Sequence, residues 1–160
     1  KRLARELLKS PRDGRIKLYV SQRLLCLRRE HPALFVGGSY VPVGGNPHVA
    51  AFARASDGHT LIVAAPVLIA TLTRGNLIAP VGDEVWRNES LAVPAGTYEN
   101  LFTGKRLTVE GGSLRLSEVF ADFPAAARQA DTWPRGSSAS FPGAECDRVP
   151  QRVTGTACRT

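Results

Sequence analysis

The sequence predicts a mainly β protein in which N-terminal helices lead into an antiparallel β-sandwich and the chain ends in a disordered tail. Three observations carry this. Apolar residues recur at helical spacing up to His31-Pro32, seven short extended segments separated by Gly-rich turns follow from Ser39, and no period survives beyond Phe123-Pro124. The predicted units are a helical segment over 1–35, a β domain over 36–126 and a tail over 127–160.

In KRLARELLKS, Leu3, Leu7 and Leu8 stand at helical spacing and Ser10-Pro11 closes the helix. A second helix, DGRIKLYVSQRLLCLRRE, opens at Asp13-Gly14 with Asp13 as its N-cap. Ile16, Tyr19, Val20, Leu24 and Leu27 form one apolar stripe along it. Pro32 ends it, because the residue before a proline is driven out of helical geometry.

The period then changes, with a module boundary near Val36 to Ser39. SYVPV, HVAAFARA, HTLIVAAP, EVWRNESLAVP, TYENLF, RLTVE and SLRLSEVFADFP read as strands, divided by the turn sequences GGNP, SDGH, AGT, TGK and EGG. Many short strands with such turns favour a sandwich or barrel. LIVAAP is apolar on both faces, which suits a central strand. Val67 to Gly82 fits a strand and loop or a short helix equally. Residues 131–160, rich in Gly, Pro, Ser and Arg with Trp133 and Phe141 isolated, read as disordered.

Composition narrows the classes of function. The 160 residues suffice for one ordinary domain. Cys26, Cys146 and Cys158 have no CxxC spacing, which argues against disulfide or zinc frameworks. There is no apolar run of about 18 residues and no charged-then-apolar leader, so the expectation is a cytoplasmic protein with no membrane partner. The net charge of +7 resides in residues 1–30, which hold ten Lys/Arg against three Asp/Glu. Such helices can bind nucleic acid, but base-reading and stacking residues are scarce among them, so a solvated face is preferred. The chain has no methionine and begins at Lys1, which leads to the expectation of a piece of a longer protein.

Particular motifs carry a family resemblance. LLCLRREHPALFVGG, Leu24 to Gly38, is similar to the helix-to-β junction of the α-amylase superfamily, where the last barrel helix carries L-x-x-L-R-x-x-H-P-A-L. With DGRIKLYV before it, and HVAAFAR, LIVAAP, EVW, ENLFTG and FADFPAA after it in order, residues 1–126 resemble the C-terminal part of maltooligosyltrehalose synthases. The ARQADTWPRGSSASFPG stretch departs from that pattern.

The resemblance implies that the helices are a remnant of the last helix of a (β/α)8 barrel. It implies a parent isomerase that turns the reducing-end α-1,4 linkage of maltooligosaccharides into α,α-1,1 by intramolecular transglucosylation, in trehalose biosynthesis. No cofactor is implied, and the partners are the maltooligosaccharide substrate, the catalytic barrel and a trehalohydrolase that takes the product. A retaining mechanism needs two opposed carboxyl groups. These belong to barrel strands, and a barrel needs about 250 residues, so no catalytic residue is assigned here and the chain alone is expected to be inactive. The alternatives are a stand-alone carbohydrate-binding β-sandwich or a basic-helix nucleic-acid-binding module.

Arg15 and Lys17 follow, by resemblance, the loop at the active-site end of the barrel, and are the candidate substrate-binding residues; the plainer reading is exposed helix charge. Asp83, Glu84 and Glu89 form the nearest thing to a carboxylate cluster, though adjacent acids after Gly82 more often decorate a turn. His31, His48 and His59 stand too far apart for a metal or triad motif. Trp86, Tyr98, Phe102 and Phe120 either stack on glucan or pack the core, and core is preferred. The Gly37-Gly38, Gly44-Gly45 and Gly111-Gly112 pairs are turns, not phosphate loops. The stripe from Ile16 to Leu27, left with only the β domain to cover it, leads to the expectation of poor solubility or oligomerisation.

Overall fold

The computed structural model describes residues 2–130. The elements run α1 (Arg2–Leu7), α2 (Arg15–Glu30), α3 (Pro32–Val36), β1 (Val41–Val43), β2 (Val49–Ser56), β3 (His59–Pro66), α4 (Ile69–Leu72), α5 (Asp83–Trp86), β4 (Ser90–Ala92), β5 (Gly96–Asn100), β6 (Arg106–Val109), β7 (Ser113–Arg115), α6 (Leu116–Val119) and β8 (Ala126–Ala130). The protein is mostly β-sheet with few helices. Trp133, Phe141, Cys146 and Cys158, with the rest of the expected tail from 131 on, lie outside the described residues.

Six strands form one antiparallel sheet in the order β1-β2-β3-β8-β5-β6, and β4 pairs with β7 as a separate ribbon. The β2–β3 hairpin turns on Asp57-Gly58, both with positive φ (51° and 81°), so Ser56 faces His59 across a two-residue loop. This is the turn whose twist matches the flanking strands, and Asp-Gly supplies it at little steric cost. β3 is central as expected, paired on both sides.

Alternation along the strands separates two cores. Ile62 and Ala64 of β3 join Val49, Ala53, Tyr98 and Ala126 on one face, against Trp86, Leu91, Leu114 and Phe120 from the ribbon and short helices. Leu61 and Val63 join Ala127 on the other face, against Leu7, Leu27 and Leu34 of the N-terminal helices. Each fully buried aliphatic side chain contributes about 1.5–3 kcal/mol. The layering is therefore helices, six-stranded sheet, then a two-stranded ribbon with short helices, in place of two comparable facing sheets.

The helices form largely where their periodicity puts them. In α1 the inward residues are Ala4 and Leu7, while Leu3 turns out to solvent. Gly14, with φ of 80°, occupies the N-cap position of α2, one residue later than expected. Asp13 still satisfies the helix start, its carboxylate accepting the Arg15 backbone N–H at 3.0 Å. The α2 stripe lies on the sheet: Leu27 is buried, and Tyr19 donates its hydroxyl to the Phe102 carbonyl at 2.7 Å. At the far end the His31 N–H closes on Leu27, and Pro32 then serves as the first residue of α3.

Three expectations differ from the structure. EVWRNESLAVP divides into α5 and β4, and SLRLSEVFADFP into β7 and α6, because each apolar run changes sheet for a single helical turn that packs Trp86 on Phe120 at 4.9 Å. Val67 to Gly82, which the sequence leaves open between strand and short helix, takes the second alternative in the one-turn α4. The boundary at 126 falls inside the fold: Ala126–Ala130 is a strand paired with both β3 and β5. Ala127 has no exposed surface, so the chain's small residues fill a tightly covered strand there.

Candidate functional site

Arg15 and Lys17 sit in the exposed first turn of α2. Arg15 is engaged locally, its Nε 2.6 Å from Asp13 Oδ2. The Arg15 backbone N–H, then its side chain, hold the Asp13 carboxyl below the usual carboxylate range. Beside this turn, Pro11, Arg12 and Ile16 meet Leu77, Ile78 and Pro124 around a mainly apolar cavity of about 510 Å³. Arg15 and Lys17 do not line it. Other basic residues of the N-terminal helices are also engaged: Arg5 with Asp122, Lys9 with Glu6, and Arg23 with the Leu101 carbonyl.

A second, polar cavity of about 410 Å³ lies between α4, α5 and the loop before β2. Glu84 and Glu89 line it, whereas Asp83 does not. Asn46 organises one wall: its Nδ2 donates to Glu89 Oε2 at 2.7 Å, and its Oδ1 accepts the His48 N–H at 2.8 Å. His48 Nδ1 is buried without a hydrogen-bond partner. Arg74 and Arg87 line the same space with positive φ, 52° and 44°. Sequence reasoning missed this set, since its members come from separate segments and no periodicity joins them.

Of the other candidates, His31 and His59 come together, with ring centroids 4.8 Å apart. The end of α2 packing near the β2–β3 turn brings the two rings together, with His48 elsewhere in the fold. Among the described residues no group of three or more His, Cys, Asp or Glu is placed to hold a metal ion. Trp86, Tyr98, Phe102 and Phe120 are all buried, so none offers a ring to glucan. No helix among the described residues is long and apolar enough to cross a membrane.

The outer face of α2 is unusual for a helix already packed on a sheet. Leu18 and Leu25, two turns apart, are 71% and 63% exposed. With Ser21, Gln22, Cys26 and Arg29 they line a shallow groove, where Gln22 donates to the free Cys26 thiol at 3.3 Å.

No family model matches the chain. Proteins from two strains of Mycobacterium tuberculosis, each described as a maltooligosyl trehalose synthase, are 32% identical to it over 128 residues. The maltooligosyltrehalose synthase of Arthrobacter ramosus is similar in structure, with a TM-score of 0.52 and 28% identity over 71% of this chain. A point mutant of that enzyme gives a TM-score of 0.54 and 29% identity. The chain's relatives by sequence and by structure are maltooligosyltrehalose synthases. The match covers 78% of this chain but 14% of the length of the mycobacterial synthases, and 13% of the Arthrobacter one. The chain thus spans about one seventh of the length of the mycobacterial relatives it matches.

Proposed function

We propose that this chain is the C-terminal, structural part of a maltooligosyltrehalose synthase, in which α2 is the last helix of a catalytic barrel and the β domain closes and supports that barrel. The observation that carries this reading is the double-sided apolar character of α2. Its inner stripe is covered by the sheet, while Leu18 and Leu25 remain exposed on the opposite side. A helix apolar on both sides is suited to lie between two packed layers. Similarity to maltooligosyltrehalose synthases over a small share of their length supports the same placement.

In this reading the intact enzyme converts reducing-end α-1,4 linkages of maltooligosaccharides to α,α-1,1 in the cytoplasm, and passes its product to a trehalohydrolase. The paired carboxyl groups such chemistry requires reside in the barrel. Arg15 and Lys17, at the start of α2, would meet substrate hydroxyls only in that assembly.

The test is a graft. Residues 2–130, placed in the Arthrobacter ramosus synthase in exchange for the matched segment, should retain maltooligosyltrehalose formation, and Leu18→Glu with Leu25→Glu should abolish it. The 160-residue chain alone should form none. Activity of the chain alone, or a graft indifferent to both leucines, would overturn the reading.

A further inference from the structure

We propose that the polar cavity between α4, α5 and the loop before β2 binds a neutral polyhydroxylated ligand, a mono- or disaccharide. Its charged walls balance: Arg74 and Arg87 face a space shared with Glu84 and Glu89. An anion would be opposed by the two carboxylates and a cation by the two guanidinium groups. A hydroxyl both donates and accepts, so vicinal hydroxyls satisfy planar forks of both signs at once.

Two further observations converge on the same space. The Asn46 bridge fixes Glu89 and the His48 backbone before any ligand arrives. Arg74 and Arg87 hold left-handed backbone that bulky residues rarely adopt, and Arg87, with ψ of −121°, lies where glycine is the usual occupant. Such strain, of order 1–3 kcal/mol per residue, gathers at ligand clamps. Leu72 and Val85 give the cavity an apolar floor for the C–H face of a ring, and its volume of about 410 Å³ falls within the range of small-molecule sites.

The proposal does not depend on the barrel-supporting role, because it is read on the isolated chain. The 160-residue protein is titrated with maltose, α,α-trehalose and inorganic phosphate by calorimetry, while the His48 imidazole is followed by NMR. At least one sugar should bind saturably and shift the His48 signals at matching concentrations, with no phosphate binding. Glu84→Gln and Arg87→Gly should each weaken sugar binding about tenfold or more, the loss of a hydrogen bond to a charged group. Arg87→Gly should at the same time raise the thermal midpoint, because it relieves strained backbone, so lost binding is separated from lost folding. Absence of saturable binding by both sugars, preferential phosphate binding, or sugar binding unchanged in both variants would overturn the proposal.

Discussion

Arg128 carries an electrostatic cost at the centre of the sheet. It faces Ile62 on one side and Asn100 on the other, is 1% exposed, and none of its three guanidinium nitrogens has a hydrogen-bond partner. Burial lowers its pKa to about 10, with Glu118 near enough to offset part of this by charge. Arg128→Met should therefore stabilise the protein at neutral pH, by about 1–4 kcal/mol on the scale seen when buried ionic groups give way to apolar ones. A higher urea midpoint checks this, and a lower one would show that the charge is compensated. At alkaline pH two groups oppose each other. From about 10 up to the higher pKa of an exposed arginine the unfolded chain holds an Arg128 proton that the folded chain has released, so this contribution to stability rises with pH. Tyr98 acts the other way: burial raises its pKa from 10.0 to about 12, so its contribution is full below pH 10 and is lost as pH climbs through 12. Arg128→Met should thus steepen the alkaline loss of stability and Tyr98→Phe should flatten it, read by urea unfolding at about pH 9 and about pH 11. None of this was legible in AARQA, whose alanines, arginine and glutamine lack the β-branched and aromatic residues that mark a strand.

At the scale of elements, α2 and β8 contrast. α2 was legible because Ile16, Tyr19, Val20, Leu24 and Leu27 repeat with helical period and bury on one side. Leu27→Ala should cost about 2–5 kcal/mol, whereas Leu25→Ala on the exposed side should change stability by less than about 0.5 kcal/mol; thermal unfolding of the pair measures the difference. The short elements were less legible. α5 and α6 are four residues each, too short for a helical period to declare itself against an alternating one, so their sequences read as strand. Among the described residues, β8 alone joins the β1-β2-β3 half of the sheet to the β5-β6 half. A chain ending at Ala125 should lose the cooperative fold, shown by collapse of amide dispersion, while a chain ending at Ala130 keeps it. Retention of dispersion by the shorter chain would mean that the two halves hold together through the ribbon and the N-terminal helices without β8.

Taken whole, the molecule displaces an expectation about its surface. The stripe predicted to be poorly covered is packed on the sheet, and the apolar exposure lies instead on Leu18 and Leu25 across the helix. The isolated chain should self-associate through that side, and Leu18→Glu with Leu25→Glu should shift sedimentation towards monomer. The cavity and the strained arginines were invisible in the sequence for a related reason: they depend on where three distant segments meet, and a positive φ leaves no mark in residue type when the residue is arginine. The strand order has a kinetic consequence as well. Because β8 is the last described strand and fills the gap between β3 and β5, neither face of the sheet can close until some 130 residues are available to it. Pairings this far apart in the chain demand the closure of long loops before they are rewarded, and slow the search for the native state. Until β8 inserts, β3 and β5 present two facing unpaired edges, each a template for a neighbouring chain. Yield from the cell should therefore depend on how long that gap stays open, and on whatever protects its edges in the meantime.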